Sequence, residues 1–349
     1  MSDISVLYPL PATSEDPNHL RASDDGAYGT LFPRELFLQI PTFPATTDET
    51  LVLRLLRVVS LRFDACGGTP DDCRPEVRLV MQPIAEDGRA ADSALHLFYA
   101  IDDFDAAVAA LRELRALEPE TAVDAPLDVH PSLVAQGVGG AYGAALREVV
   151  LGLTGEDRLR RVTFFLRAPS TTPNWFMGGF EVEEGVMTTL DIEGVADSIQ
   201  QVLLTETGTT FAYDVNPPGA SPEDGRAFFS TEAMAAATDA ERQATMASYL
   251  RVDNPAVYVP DQLSCVGCHL STVVTTAAER DYGLQASDFP DDAYTSTARD
   301  LQLRGGAGAN ATSLRGFGWF DFDAMISRRT VNETAHTLDK IEADYPDVR

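Results

Sequence analysis

The stretch Cys265-Val266-Gly267-Cys268-His269 sets two thiols three residues apart, with an imidazole directly after the second. On a helix, Cys265 and Cys268 stand at i and i+3 and His269 at i+4, so all three project from one face. Two thiols so spaced can form thioethers to the two vinyl groups of a flat macrocycle while the imidazole reaches its iron, the pattern of covalent haem attachment. Three other chemistries would use some of the same atoms. Zinc takes about four ligands, and a site here would have to recruit Cys66 and Cys73 from the other half of the chain. A redox dithiol belongs after a strand in a βαβ setting, whereas VYVPDQLSCVGCHLS starts a helix in an α-rich region. An inert disulfide, or two free thiols, needs nothing further. With four cysteines and five histidines in 349 residues, chance is a poor source of the pentapeptide.

The outcome at an iron held by His269 turns on the opposite position, where a strong ligand makes an electron carrier and an open site permits peroxide or gas chemistry. Met325, in FGWFDFDAMISRR, is a candidate distal ligand or a core residue, and His336, in NETAHTLDKI, is the alternative ligand or a half-buried surface residue. His96 and His130 lie in the N-terminal half and reach the iron only if both halves of the chain clasp the group between them. His19 is expected in a solvated loop. Arg304, Arg315, Arg328 and Arg329 flank the aromatic loop and could pair with haem propionates or balance neighbouring carboxylates. Trp319 is expected in the core. Cys66 and Cys73 bracket a short loop bearing Gly67, Gly68 and Pro70, which a disulfide closes easily outside a reducing compartment.

CVGCH matches the attachment motif of the c-type cytochromes, and these five residues carry the whole of the resemblance. It implies thioether bonds at Cys265 and Cys268, proximal iron ligation by His269, and one covalent haem c attached outside the cytoplasmic membrane. More loosely, the chain resembles exported bacterial proteins with a single late CxxCH. A small cytochrome c carries its motif near the start of a short domain. Here most of the chain precedes it, so either the motif domain is an appendage or the N-terminal half has a function of its own.

The elements that must position these residues divide at a Pro-, Gly- and Asp-rich segment. Residues 1–50, broken by prolines, read as an extended arm packed on the rest. Residues 51–212 read as an α+β domain with an antiparallel or mixed sheet and two helices, its strands at 51–63, 76–84, 93–101, 158–168, 174–185 and 186–194. The helices are 102–119, opened by aspartates and stopped at Pro119, and 140–155, ended by Gly155. Residues 213–229 read as a linker. Residues 230–349 read as a mainly α-helical, cytochrome c-like haem domain with helices at 230–252, at the CxxCH segment and at 327–345.

Composition limits the partners. There are 54 acidic against 26 basic residues, a formal net charge of −28, and the one lysine is Lys340. Such a surface repels phosphate backbones, so nucleic acid is excluded and a redox partner protein fits better. No apolar run reaches the ~20 residues of a membrane-spanning helix. The N-terminus carries no secretory signal, and a periplasmic or extracellular location requires that one was removed ahead of Met1. No HExxH, GxSxG, Walker or EF-hand pattern is present. The expectation is an exported mono-haem electron-transfer protein. Its alternatives are a haem enzyme or sensor with an open distal site, and a binding protein with a structural CxxC disulfide.

Overall fold

The computed structural model describes residues 4–40, 49–67, 74–117, 126–168, 170–208, 210–219, 229–303 and 314–344. Its first half begins with β1 (Ser5–Leu7), the small hairpin β2 (Asp25–Gly26) and β3 (Gly29–Thr30), and the short α1 (Arg34–Phe37). Then follow α2 (Glu49–Leu55), β4 (Leu56–Gly67), β5 (Arg74–Pro83), β6 (Ser93–Ala100), α3 (Phe104–Arg115), α4 (Pro131–Gln136) and α5 (Ala141–Leu153). The chain returns as β7 (Leu159–Arg167), β8 (Asn174–Glu183), β9 (Val186–Thr189), β10 (Ile199–Thr207) and β11 (Thr210–Asn216). The remainder is α6 (Thr231–Ala236), α7 (Asp239–Val252), α8 (Cys265–Tyr282), the hairpin β12 (Phe317–Phe320) and β13 (Asp323–Ile326), and α9 (Arg328–Asp344).

One antiparallel sheet of nine strands dominates, in the order β1-β4-β5-β6-β7-β8-β10-β11, with β9 added to β8. Alternation sends successive side chains to opposite faces. Leu95, Leu97 and Tyr99 of β6 join Val162, Phe164 and Leu166 of β7 in a core closed by Leu111 of α3, Leu146 of α5 and the arm's Leu31 and Phe32. Phe165, Trp175, Met177, Val202 and Leu204 point the other way, onto Met246 and Leu250 of α7 and Leu270, Val273 and Val274 of α8.

Two expectations are corrected here. The C-terminal region is not mainly helical, because a β-hairpin and the largely irregular residues 283–303 lie between α8 and α9. Nor does it resemble a small cytochrome domain, since its helices share their core with the sheet. The short strands FGWF and DAMI lack the length for a clear alternating pattern, whereas the flanking helices repeat strongly, so the helices dominate a reading by periodicity. The arm contributes β1 to the sheet by pairing with β4, and the segment expected as a linker begins inside β11.

Gln82, 1% exposed, fastens the second hairpin to the sheet. Its Oε1 accepts from the Trp319 backbone N–H at 2.8 Å, and its Nε2 donates to the carbonyls of Trp319 and Ala91 at 2.9 and 3.0 Å. Gly318 permits this approach, for a Cβ there would lie 2.6 Å from Gln82 Oε1. Trp319 Nε1 also donates to the Tyr8 carbonyl at 3.1 Å, so Trp319 is a core residue. Gln82→Leu leaves buried backbone groups unpaired and is expected to lower stability by about 2–4 kcal/mol in urea unfolding. An unchanged midpoint would show that the hairpin docks by apolar contact alone.

Candidate cofactor site

Helix α8 begins at the pentapeptide. Ser264 caps it, its hydroxyl accepting from the Gly267 N–H at 3.1 Å, which satisfies one of the free donors at a helix start. The buried Gln200 of β10 accepts from the Val266 N–H at 3.1 Å and donates to the Pro217 carbonyl at 3.3 Å, which ties this first turn to the sheet. Gly283, at φ 69°, ends the helix in the left-handed conformation that glycine tolerates. Val266, Leu270, Val273, Val274 and Ala277 face the apolar core. Cys265, Cys268 and His269 lie on a neighbouring stripe and line a cavity of about 300 Å³.

The opposite wall of that cavity is the sheet. Pairing register aligns Arg62, Arg78, Phe98, Arg161 and Glu181 in one row across β4 to β8, and Val80, His96, Thr163 and Gly179 in the next. A Cβ on Gly179 would stand 2.9 Å from the Thr163 methyl and 3.1 Å from Leu190, which lines the cavity, so glycine keeps this part of the wall low. An adjoining space of about 170 Å³ shares His96, Cys268 and His269 with the first. Together they offer the several hundred Å³ usual for a cofactor site.

Both imidazoles in the cavity are held at one nitrogen. His269 Nδ1 is hydrogen-bonded to the carbonyl of Leu314. A carbonyl can only accept, so Nδ1 carries the proton and the lone pair sits on Nε2. Phe165 stacks on the same ring, centroids 5.1 Å apart and planes 11° from parallel. His96 Nδ1 lies 3.1 Å from the hydroxyl of Thr163, its partner on β7. Burial pushes both imidazoles toward the neutral form, with His96 lowered to about 3 by burial, then by His269 and Arg78. Burial likewise raises the Cys265 thiol to about 11 and Cys268 to about 12. Reactive redox cysteines have depressed values, so this environment does not favour dithiol chemistry. Both thiols are free.

Charges beside the cavity form a buried network. Glu333 of α9 inserts between Arg329, at 2.6 Å, and Arg62, with Arg78 at 3.9 Å. Asp64 pairs with Arg62 at 3.3 Å and Arg78 at 3.1 Å, and Glu76 pairs with Arg78. Burial alone would raise the Glu333 carboxyl, but Arg329, Arg62 and Arg78 hold it well below its ordinary value of 4.5. Arg329 also donates to the carbonyls of Val252 and Tyr258 at 2.9 and 2.7 Å, locking α9 against the turn after α7.

The sequence-derived candidates separate cleanly in space. Cys265, Cys268 and His269 line one cavity, and Arg329 lines it with them. Met325 is buried in β13 and is not among the residues lining either space around the motif. His336 meets Tyr294 edge-on at 5.9 Å and borders a different cavity, with Cys66. Cys73, and with it the expected Cys66 to Cys73 bridge, lies outside the described residues, as does Arg304. Arg328 pairs with Glu279 at 2.8 Å, and Arg315 lies over the Phe320 ring at 4.0 Å. His19 is buried, its Nε2 hydrogen-bonded to the Pro9 carbonyl at 2.9 Å, contrary to a solvated loop. His130 stacks on Tyr142 in the helical layer. Among the described residues, no three His, Cys, Asp or Glu side chains are grouped so that they could hold a metal ion by themselves. The residues that sequence reasoning missed are Arg78, Gln200 and Glu333, whose roles depend on strand register and helix docking.

No family model, curated protein or solved structure matches this chain. Among the described residues, no helix is long and apolar enough to cross a membrane.

Glu333→Gln leaves three guanidinium groups around a neutral amide and is expected to cost about 3–5 kcal/mol. The folded carboxyl titrates below the unfolded one, so its stabilisation is full above the ordinary carboxylate range and is lost as pH falls through 4.5 toward the lower folded value. Urea unfolding from pH 7 to pH 3 should show the gap between wild type and variant closing on the acid side. A gap independent of pH would mean that packing, not charge, sets the loss.

Proposed function

We propose that this protein is an exported mono-haem c-type electron-transfer protein, with haem held covalently by Cys265 and Cys268 and ligated by His269. One observation carries the reading: the two thiols and the imidazole open from the first turns of one helix into a single cavity, and the His269 ring is fixed by its Nδ1–H with Nε2 left to bind metal. Bound haem would supply a one-electron iron couple. The chain's part is to hold that group rigidly, limit water and set its surroundings. Leu314 orients the imidazole, and a hydrogen bond at the far nitrogen of a ligating histidine raises its basicity. Phe98 and Leu190 provide apolar wall, while Arg78, Arg161 and Arg329, paired with Glu76, Glu181 and Glu333, line the cavity with balanced charge. The net charge of −28 fits a redox partner with a basic docking face. Haem attachment outside the cytoplasm, and a disulfide between Cys66 and Cys73, belong to the same reading.

The test is intact mass and a pyridine haemochrome spectrum on protein exported from cells carrying the cytochrome c attachment machinery. A gain of one haem per chain is expected, and Cys265→Ala should leave a single thioether and shift the haemochrome band to the red. The double variant Cys265→Ala/Cys268→Ala should lose covalent haem. Wild-type protein of apo mass, with free thiols or one CxxC disulfide, overturns the assignment and leaves a binding protein with a structural motif.

A further inference from the structure

We propose that His96, on β6, is the second axial ligand of the iron, opposite His269. The proposal rests on the haem reading above and adds to it the residue that decides coordination. The two imidazole centroids are 6.3 Å apart, and both rings line the same cavity. Two imidazoles bound to opposite sides of one metal ion, with bonds of about 2 Å, have ring centres roughly 6 Å apart. The separation matches that of a ligand pair whose Nε2 atoms face one another.

Three further observations favour it. Each ring has its Nδ1 engaged, by Leu314 in one case and Thr163 in the other, and the described residues make no hydrogen bond to either Nε2. The Thr163 hydroxyl can accept from Nδ1–H, and in that tautomer the His96 lone pair is on Nε2. Met325 and His336 stand apart from this cavity. His96 also occupies a rigid position, hydrogen-bonded in register with Val80 on one side and Thr163 on the other in the interior of the sheet. A ligand on such an element is held more precisely than one on a loop.

Coordination is read on the haem-loaded full-length protein, with intact mass recorded for every sample so that attachment is scored separately from ligation. Wild type is expected to be six-coordinate and low-spin in both oxidation states, with ferric electron paramagnetic resonance and near-infrared magnetic circular dichroism of two imidazoles. H96A should keep the full haem mass but become high-spin, and added imidazole should restore the low-spin bands. Met325→Leu and His336→Ala should leave the spectra unchanged. The proposal is overturned if H96A carries haem and remains six-coordinate without added ligand, or if wild type shows an imidazole–thioether or high-spin signature. The wild-type spectrum can overturn the proposal even if H96A does not fold, and His336→Ala then separates the other candidate imidazole. Loss of haem mass from wild type would instead sink the haem reading itself.

Discussion

A wide antiparallel sheet must cover both faces, and here the middle of one face carries arginines. Register places Arg62 directly beside Arg78, and like charges opposite one another on a sheet repel. Under a helix layer they would be costly without counter-charges, so Asp64, Glu76 and Glu333 converge on them. Glu333 is the one that comes from another layer. Its insertion fixes α9 over β4 and β5, while apolar contacts on either side seat α7, α8 and the second hairpin. The helices therefore rest on the sheet at its edges of polarity and span its polar centre, and the cavity is what remains under that span.

This arrangement gives the long N-terminal segment a purpose that a motif reading leaves open. The pentapeptide sits on a helix whose first turn is hydrogen-bonded to β10 through Gln200, and its imidazole is stacked on Phe165 of β7. Half of the cavity wall thus comes from strands that precede the motif by a hundred residues or more in the chain. A domain consisting of residues 230–349 alone would lack that wall, together with the aromatic that supports His269. The motif helix and the N-terminal strands therefore build one cavity, with the sheet as its rigid half.

Much of the secondary structure is legible from pattern. The strands β5 to β8 alternate or run apolar, α3 opens on Asp103, whose side chain accepts from the Ala106 N–H at 2.9 Å, and α8 begins at the cysteine that the spacing argument singled out. The failures have physical causes. Pro217, Pro218 and Gly219 signal a break, which the pattern starts at 213 whereas β11 runs on to Asn216. β1 is three residues long and belongs to the sheet only through its pairing with β4. At the site, local spacing encodes Cys265, Cys268 and His269 because one helix carries all three. His96, in SALHLFYA on the side opposite to Leu95, Leu97 and Tyr99, enters the sequence reading only on the condition that both halves of the chain close on one group. Its approach to His269 is set by strand order and helix docking, which no short window of sequence contains.

The choice of axial ligand has consequences for the kind of electron carrier this fold could be. Methionine opposite histidine raises the potential of a c-type haem, whereas a second imidazole leaves it lower. Both imidazoles here are borne by regular elements, one on a sheet interior and one on a capped helix turn. Such a pair would change geometry little between oxidation states, which favours fast transfer over substrate chemistry, since a rigid six-coordinate iron offers no open position. The buried charges act in the same direction. Arg62, Arg78 and Arg329 against Asp64, Glu76 and Glu333 pair fully among themselves, so the cavity gains polarity without a large net field. What remains to draw a partner is the strongly acidic exterior, and long-range attraction of that kind steers encounter and falls steeply with ionic strength. On this reading the interior fixes the potential and the surface selects the partner, with the sheet separating the two tasks.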